Sequence, residues 1–164
     1  ADIVHMCTYA PLFAHIDAWQ WNPDMIWFDN LRMMKTPNYY VQQIYAQNKG
    51  TNVASLALNG KALTGQDNLY ASAVFDKDLN GYIIKIVNTS LDPKDIQVDI
   101  KGLKKNQSVT LGDCIMMQNS NLNTINTLNE PETIMPQKTT ALLKGNILNI
   151  NAKVQSFGVY KIMF

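Results

Sequence analysis

Apolar residues follow two rhythms along this chain, and the change comes near Gly50. Ile3-Val4-His5-Met6-Cys7 is a compact apolar run of strand length, and residues 8–22 read as a loop crowded with aromatic side chains. A helix in two parts is expected next. Pro23 and Pro37 each suit a first helical turn, where the missing N–H costs nothing. In the second part Thr36 takes the N-cap position, and Tyr40, Val41, Ile44 and Tyr45 recur at helical spacing on one face. Asn48-Lys49-Gly50 then supplies a stop, with Gly50 in the left-handed position. A strand, a loop and a helix in this order make one βα unit of an α/β protein. One parallel strand cannot stand alone, so the opening reads as a piece of a larger fold. The alternative is a chain trimmed at a true domain edge.

From Thr51 onward the rhythm is period two. Ala71, Ala73 and Phe75 alternate with Ser72 and Val74, and Ile96, Val98 and Ile100 alternate with Gln97 and Asp99. Asp76-Lys77-Asp78-Leu79-Asn80-Gly81 joins 71–75 to 82–87 as a hairpin, its Asn-Gly providing the positive φ of a tight turn. Further strands are expected at 108–111, 113–117, 139–143, 147–150 and 157–163. Short antiparallel strands with turns every ~8–12 residues predict a β-sandwich. The Asn/Thr-rich stretch between Gln118 and Gln137 reads either as a Greek-key crossing between sheets or as a disordered linker.

Composition narrows the function classes. The chain has 164 residues, 46% apolar and 16% charged, with a formal net charge of +1. That length makes one domain, or one domain with part of a neighbour, and it can bury a core without metal or disulfide. A near-neutral chain without a basic block has no electrostatic grip on nucleic acid or on an anionic membrane. No apolar run approaches the roughly 18 residues of a membrane span.

Residues that carry chemistry are sparse. Glu130 and Glu132 are the two glutamates and share one loop. Cys7 and Cys114 stand far apart, and His5 and His15 lack ligand spacing, His5 reading as a core or strand-end residue. No phosphate loop or Gly-x-Ser-x-Gly elbow occurs, and Asp78 and Asn80 lack the further ligands of a calcium loop. No cofactor and no metal is called for. Asp17, Asp24 and Asp29 cluster around the tryptophan-rich loop. Two carboxylates ~5–9 Å apart would make a glycosidase centre, although a capping or dipole role at a helix start is the simpler account of Asp24 and Asp29. Trp19 and Trp21 either pack on a neighbour or line a ligand surface, for which a sugar ring is well shaped.

Three blocks carry a resemblance: Tyr9-Ala10-Pro11-Leu12-Phe13-Ala14, Trp21-Asn22-Pro23-Asp24-Met25-Ile26-Trp27-Phe28-Asp29-Asn30 and Thr36-Pro37-Asn38-Tyr39-Tyr40-Val41-Gln42. In order and spacing they resemble the C-terminal region of glycoside hydrolase family 51 α-L-arabinofuranosidases. The Glu-Pro-Glu loop and the closing Val154–Tyr160 segment fit the same pattern more loosely. The resemblance implies a mainly β chain: a jelly-roll-like antiparallel β-sandwich over 51–164, preceded over 1–50 by the last strand-loop-helix unit of a (β/α)8 barrel. It further implies an exo-acting retaining enzyme that removes terminal α-L-arabinofuranosyl groups from arabinan or arabinoxylan. The catalytic glutamates of that family would lie upstream of Ala1, and Glu130 and Glu132 match neither motif, so the chain alone is expected to be inactive.

By the same resemblance Asp24 is the expected polar contact to a bound sugar, with Trp19 and Trp21 as walls, since barrel active sites lie at the C-terminal ends of the strands. Cys7-Thr8 and Met33-Met34 depart from the family pattern. The implied partners are an arabinose-containing polysaccharide or oligosaccharide and the rest of the chain's own barrel, and the substrate class points to an extracellular or periplasmic setting. An unpaired strand edge and an exposed helix face leave self-association as a homo-oligomer open. Two other readings stand beside this one: a carbohydrate-binding β-sandwich module with the tryptophan loop as platform, and an interaction domain docking through the Tyr40–Tyr45 face.

Overall fold

The computed structural model describes residues 6–164, and these divide into two compact units. Described residues up to Ala46, with Asn123–Met135, form the first; Gln47–Leu122, with Pro136–Phe164, form the second. The expected opening strand falls largely outside the described residues. Its last two positions, Met6 and Cys7, are exposed and without regular structure.

The first unit contains three short strands and a helix. Strand β1 (Phe13–His15) pairs in parallel with β2 (Ile26–Phe28), which pairs antiparallel with β3 (Met33–Lys35). Helix α1 runs over Pro37–Gln47, with the Thr36 hydroxyl accepting from the Tyr39 amide at 3.4 Å. The N-cap and its span agree with the sequence pattern, and Ile44 is the buried member of its apolar face. Tyr45 is 45% exposed and belongs to the outer side.

The first half of the expected two-part helix does not form. Met25-Ile26-Trp27-Phe28 offers a β-branched residue and two aromatics, types that fit a pleated surface better than a helical one. Here they make the central strand of a three-stranded sheet, and β1 occupies part of the supposed loop. Asp24 and Asp29 therefore have no helix dipole to complement. Asp29 instead closes the β2–β3 turn: one carboxylate oxygen accepts from the Leu31 and Arg32 amides at 2.8 and 2.6 Å, and the other accepts from both Nε and Nη2 of Arg32. These donors hold its carboxyl down at about 2, the Leu31 amide contributing most.

The second unit is a β-sandwich. Its strands are β4 (Asn52–Ala54), β5 (Ala57–Leu58), β6 (Lys61–Ala62), β7 (Leu69–Asp76), β8 (Gly81–Asn88), β9 (Lys94–Asp99), β10 (Thr110–Gln118), β11 (Gln137–Thr139), β12 (Leu142–Lys144), β13 (Ile147–Ala152) and β14 (Ser156–Met163). Six of them form an antiparallel sheet in the order β11-β10-β14-β8-β7-β4, three form a second sheet in the order β12-β13-β9, and β5 and β6 make a small hairpin. Leu69, Ala73, Ile84, Ile86, Cys114, Tyr160 and Ile162 of the large sheet meet Leu148, Ile150 and Ala152 of the small one in a single core. Leu148 and Ile162 are fully enclosed, and each such side chain contributes roughly 1.5–3 kcal/mol. Burial pushes the Tyr160 hydroxyl up to about 12.

The hairpin over 76–81 forms where expected. Asn80 supplies the positive φ of 48°, and a Cβ on Gly81 would collide with the Ile162 carbonyl of the neighbouring strand. Gly50 sits at φ 65°, as the helix stop requires. Central strand β8 is buried on both faces: Ile84 and Ile86 face the core, while Ile83 and Lys85 point the other way. Lys85 donates to the Asn48 carbonyl at 2.6 Å, and desolvation lowers its pKa.

Three boundaries differ from the pattern, each for a tertiary reason. The strands expected at 108–111 and 113–117 are one strand, β10, with a bulge between Leu111 and Cys114. The extra residue lets both side chains reach the core although they are three positions apart. The strand expected at 139–143 splits at Thr140-Ala141, because the chain there leaves the large sheet for the small one. The stretch between Gln118 and Gln137 is neither a crossing nor a disordered linker. Its flanking strands β10 and β11 are neighbours in one sheet, and Asn123–Met135 belongs to the first unit. Asn126 anchors it there, 1% exposed, donating to the Lys35 and Ile134 carbonyls at 2.8 and 2.9 Å and accepting from the Ile134 amide at 2.7 Å.

Candidate functional site

A cleft of about 720 Å³ opens in the first unit, and its lining includes Asp24, Trp19, Trp21 and His15. Residues separated along the sequence reach it because β1 and β2 lie side by side. The Ile26 amide donates to the Leu12 carbonyl and the Ile16 amide to the Phe28 carbonyl, each at 3.0 Å. Along β1, Phe13 and His15 alternate about the buried Ala14. Both of their rings meet Phe28 edge-on, with centroids 6.5 and 5.3 Å away. The floor is thus aromatic and braced.

Trp19 and Trp21 stand on the connection between β1 and β2. Trp19 packs edge-on against Trp27 at 5.9 Å yet remains 51% exposed, and Trp21 is 60% exposed. Indoles left this open lie outside the core of the first unit. Asp24 is the opposite case: it is 2% exposed, and its Oδ2 has no hydrogen-bond partner among the described residues. A buried carboxyl oxygen without a donor costs on the order of 1–3 kcal/mol, and more when charged. Asp24 lines the cleft, with its Oδ2 enclosed and without a donor among the described residues.

The three residues singled out in the sequence are therefore brought together in one cleft. The other carboxylates are not. Asp29 is committed to Arg32, which also donates to Asn129 at 2.9 Å. Asp17 is exposed on the turn after β1. Glu130 and Glu132 are exposed in the 127–133 turn, where the Glu130 amide donates to Thr127 Oγ1 at 3.0 Å. Asp24 is the one carboxyl in the lining among the described residues, so no carboxylate pair faces the cleft. Among the described residues no group of three metal-ligating side chains converges.

His15 was missed by spacing arguments that looked for metal ligands. A signal existed in the local alternation, which puts Phe13 and His15 on the same side of β1. Its Nδ1 accepts from the Asp17 amide at 3.2 Å, within a turn closed by the Ala18 amide on the His15 carbonyl at 3.1 Å. Flat indole faces, one buried acceptor and a cleft of this volume suit a small uncharged polar ring.

The chain is mainly β, with antiparallel sheets packed as a sandwich in its second unit and an aromatic cleft in its first. The chain belongs to the α-L-arabinofuranosidase C-terminal domain family, whose model matches residues 1–156. It is similar to α-L-arabinofuranosidase 1 of Arabidopsis thaliana, 30% identical over 167 residues covering 99% of this chain and 24% of that protein. α-L-Arabinofuranosidase 2 of the same plant is 31% identical over 145 residues, covering 84% of this chain and 20% of that one. Among solved structures, an arabinose-bound glycoside hydrolase family 51 α-L-arabinofuranosidase matches with a TM-score of 0.81 and 26% identity, over 99% of this chain and 25% of that one. The chain spans a quarter or less of the length of these relatives.

Proposed function

We propose that the chain is the C-terminal portion of an exo-acting, retaining α-L-arabinofuranosidase that releases terminal α-L-arabinofuranosyl residues from arabinan or arabinoxylan. Residues 1–50 close a (β/α)8 catalytic barrel as its last strand, loop and helix, and residues 51–164 are the C-terminal sandwich. The helix at Pro37–Gln47 and the division of the chain at Ala46/Gln47 are consistent with that boundary. The catalytic glutamates lie upstream, and the 164-residue chain alone does not hydrolyse glycosides.

The observation that carries the reading is a cleft lined by two open indoles and by buried Asp24, whose Oδ2 has no hydrogen-bond partner among the described residues. Asp24 accepts a hydrogen bond from a sugar hydroxyl, while Trp19 and Trp21 wall the ring. In the full-length protein, Asp24→Asn and Trp21→Ala are each expected to lower kcat/KM on a chromogenic α-L-arabinofuranoside by about tenfold or more. Wild-type turnover in both variants would remove the cleft from the site, and hydrolysis by residues 1–164 alone would overturn the fragment assignment.

The 51% and 60% exposure of Trp19 and Trp21 favours a second reading, a stand-alone carbohydrate-binding module. Titrating arabino-oligosaccharides against this chain while following tryptophan fluorescence distinguishes the two. Saturable binding that disappears in Trp21→Ala supports the module.

A further inference from the structure

We infer that His15 is a ligand-contacting, specificity-determining residue of this cleft, donating a hydrogen bond from Nε2 to the same sugar whose hydroxyl Asp24 accepts. The inference rests on the cleft reading above and adds the complementary half of the recognition. An imidazole has two nitrogens, and the partner of one decides what the other offers. The Asp17 amide donates to Nδ1 at 3.2 Å, so Nδ1 is the acceptor and the proton sits on Nε2. Among the described residues, Nε2 has no protein partner.

The ring is not free to turn away. Phe28 holds it edge-on at 5.3 Å, and the His15–Ala18 turn fixes its backbone. The cleft thus presents one fixed donor and one buried acceptor between aromatic walls, and its lining holds no lysine or arginine. That set fits an uncharged polyol which can both give and take a hydrogen bond. Anionic sugars find no cationic partner there and meet the Asp24 carboxyl.

Two substitutions separate ligand contact from turn support, since each reproduces a different ring nitrogen. In His15→Asn the side-chain oxygen lies where Nδ1 was, so the Asp17 contact is kept and the Nε2 donor is lost. In His15→Gln the amide N–H reaches the Nε2 position, while the Asp17 contact is lost. Both are made in the full-length protein beside Asp24→Asn and Trp21→Ala. The readouts are kcat/KM on a chromogenic α-L-arabinofuranoside, inhibition by free L-arabinose and the thermal midpoint.

His15→Asn is expected to lose about threefold to tenfold in kcat/KM, the scale of one neutral hydrogen bond, and to need a similarly higher L-arabinose concentration for inhibition, with the thermal midpoint unchanged. His15→Gln is expected to stay within about twofold of wild type. Full activity in His15→Asn, or a loss confined to His15→Gln or shared equally by both, overturns the inference. A fall in His15→Asn activity accompanied by a fallen thermal midpoint does so too. If Asp24→Asn and Trp21→Ala also leave activity intact, it is the cleft reading that fails; if they impair it while His15→Asn does not, His15 alone is removed.

Discussion

Two buried polar side chains, Asn88 in the sandwich and Asp24 in the first unit, differ in how their polar atoms are satisfied. In the sandwich, Asn88 is 1% exposed, and its amide donates to the carbonyls of Asp92, Ala152 and Lys153 while its oxygen accepts from the amide and hydroxyl of Ser90. It ties together two places where the chain crosses between sheets, and both its polar atoms are used. Asn126 in the first unit is matched as completely. Asp24, equally buried in that unit, leaves Oδ2 without a donor, and exposed indoles stand in the same cleft. The contrast lies in what completes each group. Asn88 and Asn126 are completed by the protein's own groups, whereas in the proposed reading a sugar hydroxyl supplies the donor to Asp24.

This contrast can be broken at several points. The largest effect belongs to the sandwich core. Leu148→Ala should destabilise the protein by about 2–5 kcal/mol, read as a lowered midpoint in urea unfolding, because Leu148 is fully enclosed and the cavity cannot collapse. Next comes Asn126→Ala, which strands the Lys35 carbonyl and both backbone groups of Ile134. A loss of about 1–3 kcal/mol is expected, with faster amide exchange across 123–135.

Asp24→Asn should separate stability from function. It keeps the volume and removes the need to bury an acid without a donor, so unfolding should shift by less than about 1 kcal/mol, or toward greater stability, while turnover falls. A stability loss as large as that of Asn126→Ala would show that Asp24 is structural, and the contrast would collapse.

The smallest expected effect is a pH dependence. The Asp29 carboxyl is held at about 2, below its ordinary 3.8, by the Leu31 amide and Arg32. The unfolded chain therefore binds more protons than the folded one between these values. The Asp29 contribution is present above pH 4 and is lost as pH falls toward 2. Asp29→Asn should flatten the acid limb of the stability profile there and leave neutral pH nearly unchanged. An unaltered acid limb would mean that solvent screening removes the interaction.

Local signals were legible wherever one short segment carried its own cause. Thr36 and Gly50 bracketed α1, Asn80-Gly81 marked the β7–β8 hairpin, and alternation along Ile96-Gln97-Val98-Asp99 placed β9 with its polar side outward. The blocks around Tyr9, Trp21 and Thr36 led to the family, and through it to Asp24, Trp19 and Trp21, which line one cleft. His15 stayed hidden because a lone histidine has no spacing to read. The role proposed for it rests on an amide two residues later and a ring on another strand.

What the sequence determined by itself is therefore the periodicity, the stops and turns, and the family; these follow from steric and hydrogen-bonding preferences that act within a few residues. Tertiary structure alone decided that β10 carries a bulge and that Thr140-Ala141 is a corner between sheets. It also decided that residues 123–135 belong with the first unit. Each of these depends on which partner lies opposite, and backbone hydrogen bonds to a distant strand outweigh a weak local propensity. The fate of Asp24 is the clearest case. An aspartate beside a proline has the same local preferences at a helix start and in a cleft, and burial in the cleft lining is what leaves its Oδ2 without a donor.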